Sequence, residues 1–443
     1  MTSLSDRLRS VLSTGQCRPG LSDPAALDTR RHAGSEDPAY TAGDLLEGEW
    51  CDADGGRFLV VDRSYSPGHR HGAMSIADAL PPSDGLWPRL SLLADGAAIS
   101  NLLFIDLETT GLAGGAGTYA FLVGCGWFDG GRFRVRQFVL TSFAAERALL
   151  QALVPIARDA GTVVTYNGKS FDLPLVETRF SLHRMDTPFA EMPHIDMLHP
   201  ARRLWRGREP SGSRSYDEVS GRDSCRLSAI EQVLCGHRRE GDVAGFEIPA
   251  RYFHFVRTGD ARPLEAVLEH NRLDLLSLAF VTARAAQLLE DGAAAARTAR
   301  EALGLGRLYE RGGLTTDAWR CFTRALEIDD DDSITRAEVL RAHAVLARRM
   351  RRFEDAASSW RLLLDMPECP AVLKREASEA LAVHLEHRLR DYQSARGYAA
   401  QTLRGDVTDA RKQATLHRLA RLDRKINEAP GLEKRPGLHD SLF

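Results

Sequence analysis

The sequence predicts an α/β domain, a mixed sheet flanked by helices, followed by an all-α region of helical repeats. Three observations carry this. Apolar runs of strand length alternate with amphipathic helical stretches between Asn101 and about residue 290, in the order β-β-β-α-β-α-β-α. From about Arg297 onward only helical patterning remains. Within that helical region Ala318 recurs as Ala356 and Ala395, 38 and then 39 residues on.

The 443 residues allow two to three domains at roughly 150 residues each. Hydrophobic residues make up 43% and charged residues 27%, which excludes a disordered or fibrous chain. The balance of 58 basic and 61 acidic residues gives −3, so no global cationic field points to a polyanion partner. Five of the basic residues are lysines, and Lys169 is the only one among the first 373 residues.

Residues 1–95 read as an N-terminal arm with a short helix over Leu4–Leu12. A hairpin at 47–65 turns at Gly55-Gly56, and 80–98 is a turn-rich connector. NLLFIDLETTG is an apolar strand ending in acids. TYAFLVGCGWF and the alternating RFRVRQFVL pair as a hairpin across Asp129-Gly130-Gly131. AAERALLQALVPIARDA is an amphipathic helix, TVVTYNG a strand, and SFDLPLVETRFSLHR a helix. MPHIDMLHPARRLW begins as a strand, 206–224 has loop composition, and 226–290 is helical. These elements define a domain over 96–292. The helical domain spans 297–428, where Gly306, Tyr309, Ala318, Phe322 and Ala325 fall at tetratricopeptide offsets. Residues 412–426 form a last helix, and 429–443 is a loose tail.

No signal-peptide core, 18-residue apolar run or C-x-x-C pair is present. Seven scattered cysteines fit a reducing cytoplasm, without membrane association.

Candidate chemistry lies in the α/β domain. Asp106 and Glu108, two apart on a strand, share one face. Asp172 follows a strand and turn, and Asp274 sits on a late helix. Four such acids suit two hard Mg²⁺ or Mn²⁺ ions, and a pair of ions can hold the attacking and leaving oxygens of a phosphodiester. His270, four residues before Asp274, shares its helical face and is placed to take a proton from water.

FIDLETTGL, YNGKSFDLP and HNRLD, in that order, resemble the three motifs of the DEDD exonucleases, which have a ribonuclease H-like fold. GTYAFLVGCGWF, HIDMLHPARRLW and EIPARYFHFVRTGD extend the resemblance to the YprB-type (mitomycin repair factor B) family, over roughly residues 40–425. That family joins such a domain to C-terminal tetratricopeptide-like helices. The resemblance implies that Asp106, Glu108, Asp172 and Asp274 bind two metals and that His270 is the general base. It implies 3′→5′ removal of nucleotides from DNA in repair, alongside a helicase. An RNA-processing exonuclease and a non-catalytic adaptor that recruits partners through its repeats are the alternatives. The histidine subclass carries its base five residues before the last Asp, where this chain has Glu269. The tyrosine subclass has Tyr four before it, where this chain has His270.

Thr109, Thr110 and Gly111 lie, in the resembling enzymes, near the 3′-terminal nucleotide. Asn167 shapes the second motif, and Lys169 offers a point charge to a phosphate. Arg202 and Arg203 open an arginine-rich stretch at 201–214, with Trp205 as a base-stacking candidate. The helical repeats offer a surface for a protein partner or for nucleic acid. The run Gly114–Gly117 lacks the G-K-[ST] of a P-loop. Cys51, His69 and His71 lack a fourth ligand at zinc spacing, so no zinc site is expected. Asp196 reads as structural, and 411–425 as a solvated basic helix.

Overall fold

A computed structural model describes residues 42–53, 56–82, 87–94, 96–111, 117–205, 225–329, 332–403 and 408–428. The helix expected over Leu4–Leu12, the loop 206–224 and the tail 429–443 lie outside these residues. The chain divides into two units that interleave in sequence. The first takes its described residues from Met1–His69, Asn101–Met192 and Arg239–Leu276, and the second from Arg70–Ser100, Pro193–Arg238 and Ser277–Phe443.

Among the described residues the first unit holds six strands: β1 (Glu49–Ala53), β2 (Gly56–Tyr65), β3 (Leu102–Thr109), β4 (Ala120–Asp129), β5 (Arg132–Val139) and β6 (Thr162–Thr165). They run in the order β1-β2-β5-β4-β3-β6, with β6 parallel to β3 and the other pairs antiparallel. The β4–β5 hairpin closes at Asp129 opposite Arg132. Gly130 (φ 55°) and Gly131 (φ 76°) supply the two positive φ values that a tight two-residue turn requires. Register places Asp106 opposite Gly124, and Gly124 opposite Gln137, so one row crosses β3, β4 and β5 on one face.

Among the described residues, a short helix at Ala42–Leu45 and four longer ones complete this region: α1 (Glu146–Asp159), α2 (Asp172–Leu182), α3 (Ile248–Thr258) and α4 (Arg262–Asp291). The first unit's core joins the apolar residues of β2–β6 to Leu149, Leu153, Phe180, Tyr252 and Leu264 from the helices. The Tyr252 ring stacks on Phe121 of β4 at 4.1 Å.

One ion pair is buried where α1 meets α2. Arg179 donates twice to Glu146, at 2.5 Å each, and His183 meets the same carboxylate at 2.7 Å. The Arg179 guanidinium lies 4.0 Å from the Tyr119 ring centre. Both charged side chains are 4% exposed, so removing one strands the other away from water. Arg179→Met is therefore expected to cost about 3–5 kcal/mol, read as a lower urea midpoint at unchanged slope.

In the second unit α5 (Ala299–Arg311), α6 (Thr315–Glu327), α7 (Ser333–Arg349), α8 (Phe353–Asp365), α9 (Ala371–His384), α10 (Tyr392–Gln401) and α11 (Asp409–Glu428) each pack on the next. A side chain at Gly306 would begin 2.4 Å from Phe322, so glycine is what lets α5 and α6 approach. Tyr309, Ala318, Phe322 and Ala325 are all buried in this packing. A short strand, His194–Asp196, and the helices Leu198–Leu204 and Leu227–Cys235 also belong to this unit. The protein thus has a mixed sheet with flanking helices and an all-helical C-terminal region. No helix among the described residues is long and apolar enough to cross a membrane.

Candidate active site

The site begins with β3. Leu103, Phe104 and Ile105 are fully buried, and beyond them Asp106 and Glu108 turn to one face on either side of the buried Leu107. The strand's register shifts between Glu108 and Thr109, where pairing with β4 becomes irregular.

The second motif is a turn between β6 and α2. Asn167 is left-handed (φ 68°), a conformation asparagine tolerates better than most residues. A side chain at Gly168 would start 2.4 Å from Thr165 Oγ1, which itself accepts from the Gly168 N–H at 3.2 Å. This tight turn makes Asp172 the first residue of α2. A carboxylate there faces the positive end of the helix dipole.

α4 contributes His270, Asn271 and Asp274. Asn271 is fully buried over Gly124, in the row across the sheet. Its Nδ2 donates to Asp106 Oδ2 at 2.8 Å and to the Asp106 carbonyl at 3.1 Å. Its Oδ1 accepts from Gln137 Nε2 at 2.8 Å. One side chain thus fastens α4 to β3 and β5.

His270 Nε2 lies 3.9 Å from Glu108 Oε1 and 3.7 Å from Asp274 Oδ2. Its Nδ1 meets Asp242 Oδ1 at 2.6 Å. Arg239, 5% exposed, donates to Asp274 at 2.5 Å and to Asp242 at 3.2 Å. Asp242, Arg239 and Asn271 were not singled out from the sequence. Their signals were an Asp-Arg pair in a loop of ordinary composition and an Asn between His270 and Asp274.

The electrostatics are those of crowded like charge. Burial, followed by the charges of Asp274, Glu108 and Asp172, pushes the Asp106 carboxyl well above the usual carboxylate range. Burial raises Glu108 to about 8, against the attraction of His270. Burial alone would lower His270, but its bond to Asp242 and the charges of Asp274 and Glu108 hold it up at about 9. A divalent cation would relieve this repulsion, and carboxylate oxygens are the donors that Mg²⁺ and Mn²⁺ prefer. The donor set therefore fits such ions.

Glu108, Thr109, Gly111, Asn167, Asp172 and His270 line a common cleft of about 550 Å³, with Phe171 (59% exposed) on its wall. Thr110 turns away, and its Oγ1 accepts from the Tyr119 N–H at 3.0 Å. Lys169 is exposed in the turn before Asp172. Arg202 and Arg203 lie in the second unit on helix Leu198–Leu204. The Arg203 carbonyl is packed so closely on α5 that a side chain at Gly304 would lie 2.3 Å from it. Trp205, expected as a stacking platform, is instead 8% exposed, and its Nε1 donates to Glu301 at 2.8 Å. An indole held this way inside the packing presents no face to a base. The rest of the arginine-rich stretch lies outside the described residues. Asp196 is buried, and its Oδ1 accepts from the Leu198 N–H at 3.1 Å, a helix-start role.

Two comparisons bear on the fold. A family model described as RNase_H_2, of the RNase H superfamily, matches residues 103–286. The uncharacterized protein YprB of Bacillus subtilis (strain 168) is 32% identical over 392 residues, which is 86% of this chain and 88% of the relative. The chain accordingly belongs to the YprB family, and residues 103–286 form an RNase H-superfamily domain, a nuclease type of fold.

Proposed function

We propose that the protein is a two-metal 3′→5′ exonuclease that hydrolyses DNA in repair. The observation that carries this is the crowding of Asp106, Glu108, Asp172 and Asp274 about one another, with His270 beside two of them. These four acids would hold two Mg²⁺ or Mn²⁺ ions, which supply Lewis-acid activation of water and stabilise the leaving oxygen. His270 presents Nε2 towards Glu108 and Asp274 and takes the proton of the attacking water. Cations on the acids offset the charges that raise this imidazole, returning it towards the range a base needs.

The cleft beside Glu108 and His270 receives the terminal nucleotide, with Thr109, Gly111 and Asn167 along it. Lys169, Arg202 and Arg203 serve the nucleic-acid backbone. The helical region 297–428 is read as tetratricopeptide-like and docks a protein partner such as a helicase. Seven scattered cysteines with no C-x-x-C pair support a reducing, cytoplasmic setting.

The deciding assay uses purified protein with 3′- and 5′-labelled single- and double-stranded DNA and RNA, in Mg²⁺, Mn²⁺ or EDTA. Wild type and Asp172→Asn are run together. Mononucleotide release from DNA 3′ ends, lost in EDTA and in Asp172→Asn, is expected. Activity that survives the substitution points to another site, internal cuts overturn the directionality, and preferential loss of RNA favours the RNA-processing reading.

Asp242 positions the base by fixing Nδ1 of His270. Asp242→Asn is expected to lower kcat about tenfold to a hundredfold with little change in KM, less than the ~10²–10⁴ that a whole general base contributes. Asp242 raises the imidazole, so its neutralisation also moves the acid limb of the pH–rate profile to lower pH. A profile that stays in place would reduce Asp242 to a structural contact.

A further inference from the structure

A group of metal-type donors lies in the second unit. His71, Glu231 and His237 bring one ligand atom each to within 4.8 Å of one another. They come from a two-residue hairpin (Arg70–His71 with Met74–Ser75), from helix Leu227–Cys235, and from the loop that follows it. The group is sheltered, with His71 3% and Glu231 0% exposed. His71 Nε2 meets Glu231 Oε1 at 2.5 Å, and Ser277 Oγ donates to the same oxygen at 2.7 Å. Ser277 Oγ is also 3.3 Å from His71 Nε2, so three donor atoms from three segments form one small triangle.

The scaffold holds this geometry. The Ala73 N–H bonds the Cys235 carbonyl at 2.6 Å, tying the hairpin to the end of the helix that carries Glu231. A side chain at Gly72 (φ 63°) would lie 2.2 Å from that carbonyl, so only glycine permits the contact. Phe280 packs flat against His71 at 5.5 Å, which walls the group with an apolar face.

We propose that His71, Glu231 and His237 bind a zinc ion, with Ser277 Oγ completing a four-coordinate structural site. Two imidazoles and one carboxylate are a zinc donor set, whereas Mg²⁺ prefers oxygen ligands and water. Ligands at about 2.0–2.2 Å from a tetrahedral ion stand roughly 3.3 Å apart. Zinc entry thus replaces the His71–Glu231 hydrogen bond with a bond from each group to the ion. His237, now stacked on His71 at 4.2 Å, turns about its Cβ–Cγ bond to aim a nitrogen at the ion. This torsion is soft in histidine. The ion clips residue 71 to residues 231 and 237 and is independent of nuclease chemistry.

The test uses tag-free, full-length protein purified without chelators or nickel resin from zinc-supplemented cells. Elemental analysis should give about one zinc per chain, and its removal should lower Tm by several degrees. Refilling with Co²⁺ should give the visible absorption of a tetrahedral centre. His237→Ala, at the half-buried ligand, should lose zinc and the cobalt signal, while Asp106→Asn keeps both. Should His71→Gln or Glu231→Gln fail to fold, His237→Ala and the wild-type measurements still decide. Wild type without stoichiometric zinc or a cobalt signal, or a His237→Ala variant that binds as wild type does, overturns the site.

Discussion

Asp106→Asn is expected to abolish metal-dependent hydrolysis and, in EDTA, to leave a protein no less stable than wild type. The two effects share one cause. Asp106 stands among the charges of Glu108, Asp172 and Asp274, so its own charge favours a cation and opposes the ion-free fold. Losing one of the four acids that would hold the ions should cost about 10³ in kcat, or about 4 kcal/mol of barrier. Asparagine keeps the shape and can still accept from Asn271. The pH dependence follows in sign. Glu108 is raised from 4.5 to about 8 and His270 from 6.5 to about 9 in the folded protein. Groups that hold protons more tightly when folded stabilise fully below their unfolded values and cease to do so as pH rises through the folded ones. Ion-free wild type should therefore lose stability between about pH 4.5 and 9, more shallowly in Asp106→Asn, and Mn²⁺ should flatten the wild-type curve. Thermal melts across that range, with and without Mn²⁺, measure this. Hydrolysis within tenfold of wild type would remove Asp106 from the metal site.

Gly124→Ala is expected to be the most damaging single methyl group in the first unit. The added carbon would stand 2.2 Å from Asn271 Oδ1, in a row where Asp106 and Gln137 flank it across the sheet. Asn271 must then leave, and its bonds to Asp106 and Gln137 go with it. Overpacking costs about 1–3 kcal/mol and each orphaned buried polar group about 1–3 more, so a loss of about 3–5 kcal/mol is expected. Because Asn271 fastens the helix that carries His270 and Asp274, metal affinity should fall as well. Urea unfolding and Mn²⁺ titration of the same sample check both. Stability within 1 kcal/mol of wild type would show that the row tolerates the carbon.

What the sequence disclosed was local. Period-two spacing puts Asp106 and Glu108 on one face, the helix period puts His270 over Asp274, and the Asp-Gly-Gly turn marks the β4–β5 hairpin. The rest depends on contacts between distant positions. Asp242 reaches His270 across 28 residues. His71 meets Glu231 across 160, which spacing between neighbouring Cys and His residues never shows. Trp205 looked like a platform because its neighbours are arginines. Its true partner, Glu301, lies 96 positions on, and composition carries no information about such packing. Likewise Gly124 sits in an apolar strand as one glycine among many until the register reveals what stands over it.

The Gly124–Asn271 contact also constrains how such a sequence can change over generations. A larger residue at 124 is admissible only after residue 271 has shrunk, and a residue at 271 that cannot bridge leaves Asp106 and Gln137 without their link. Each first step is harmful, and the pair of changes together still leaves Asp106 and Gln137 without their link. Lineages that keep Asp106 in use are therefore held at both positions at once, and drift there marks descendants in which the acid no longer matters.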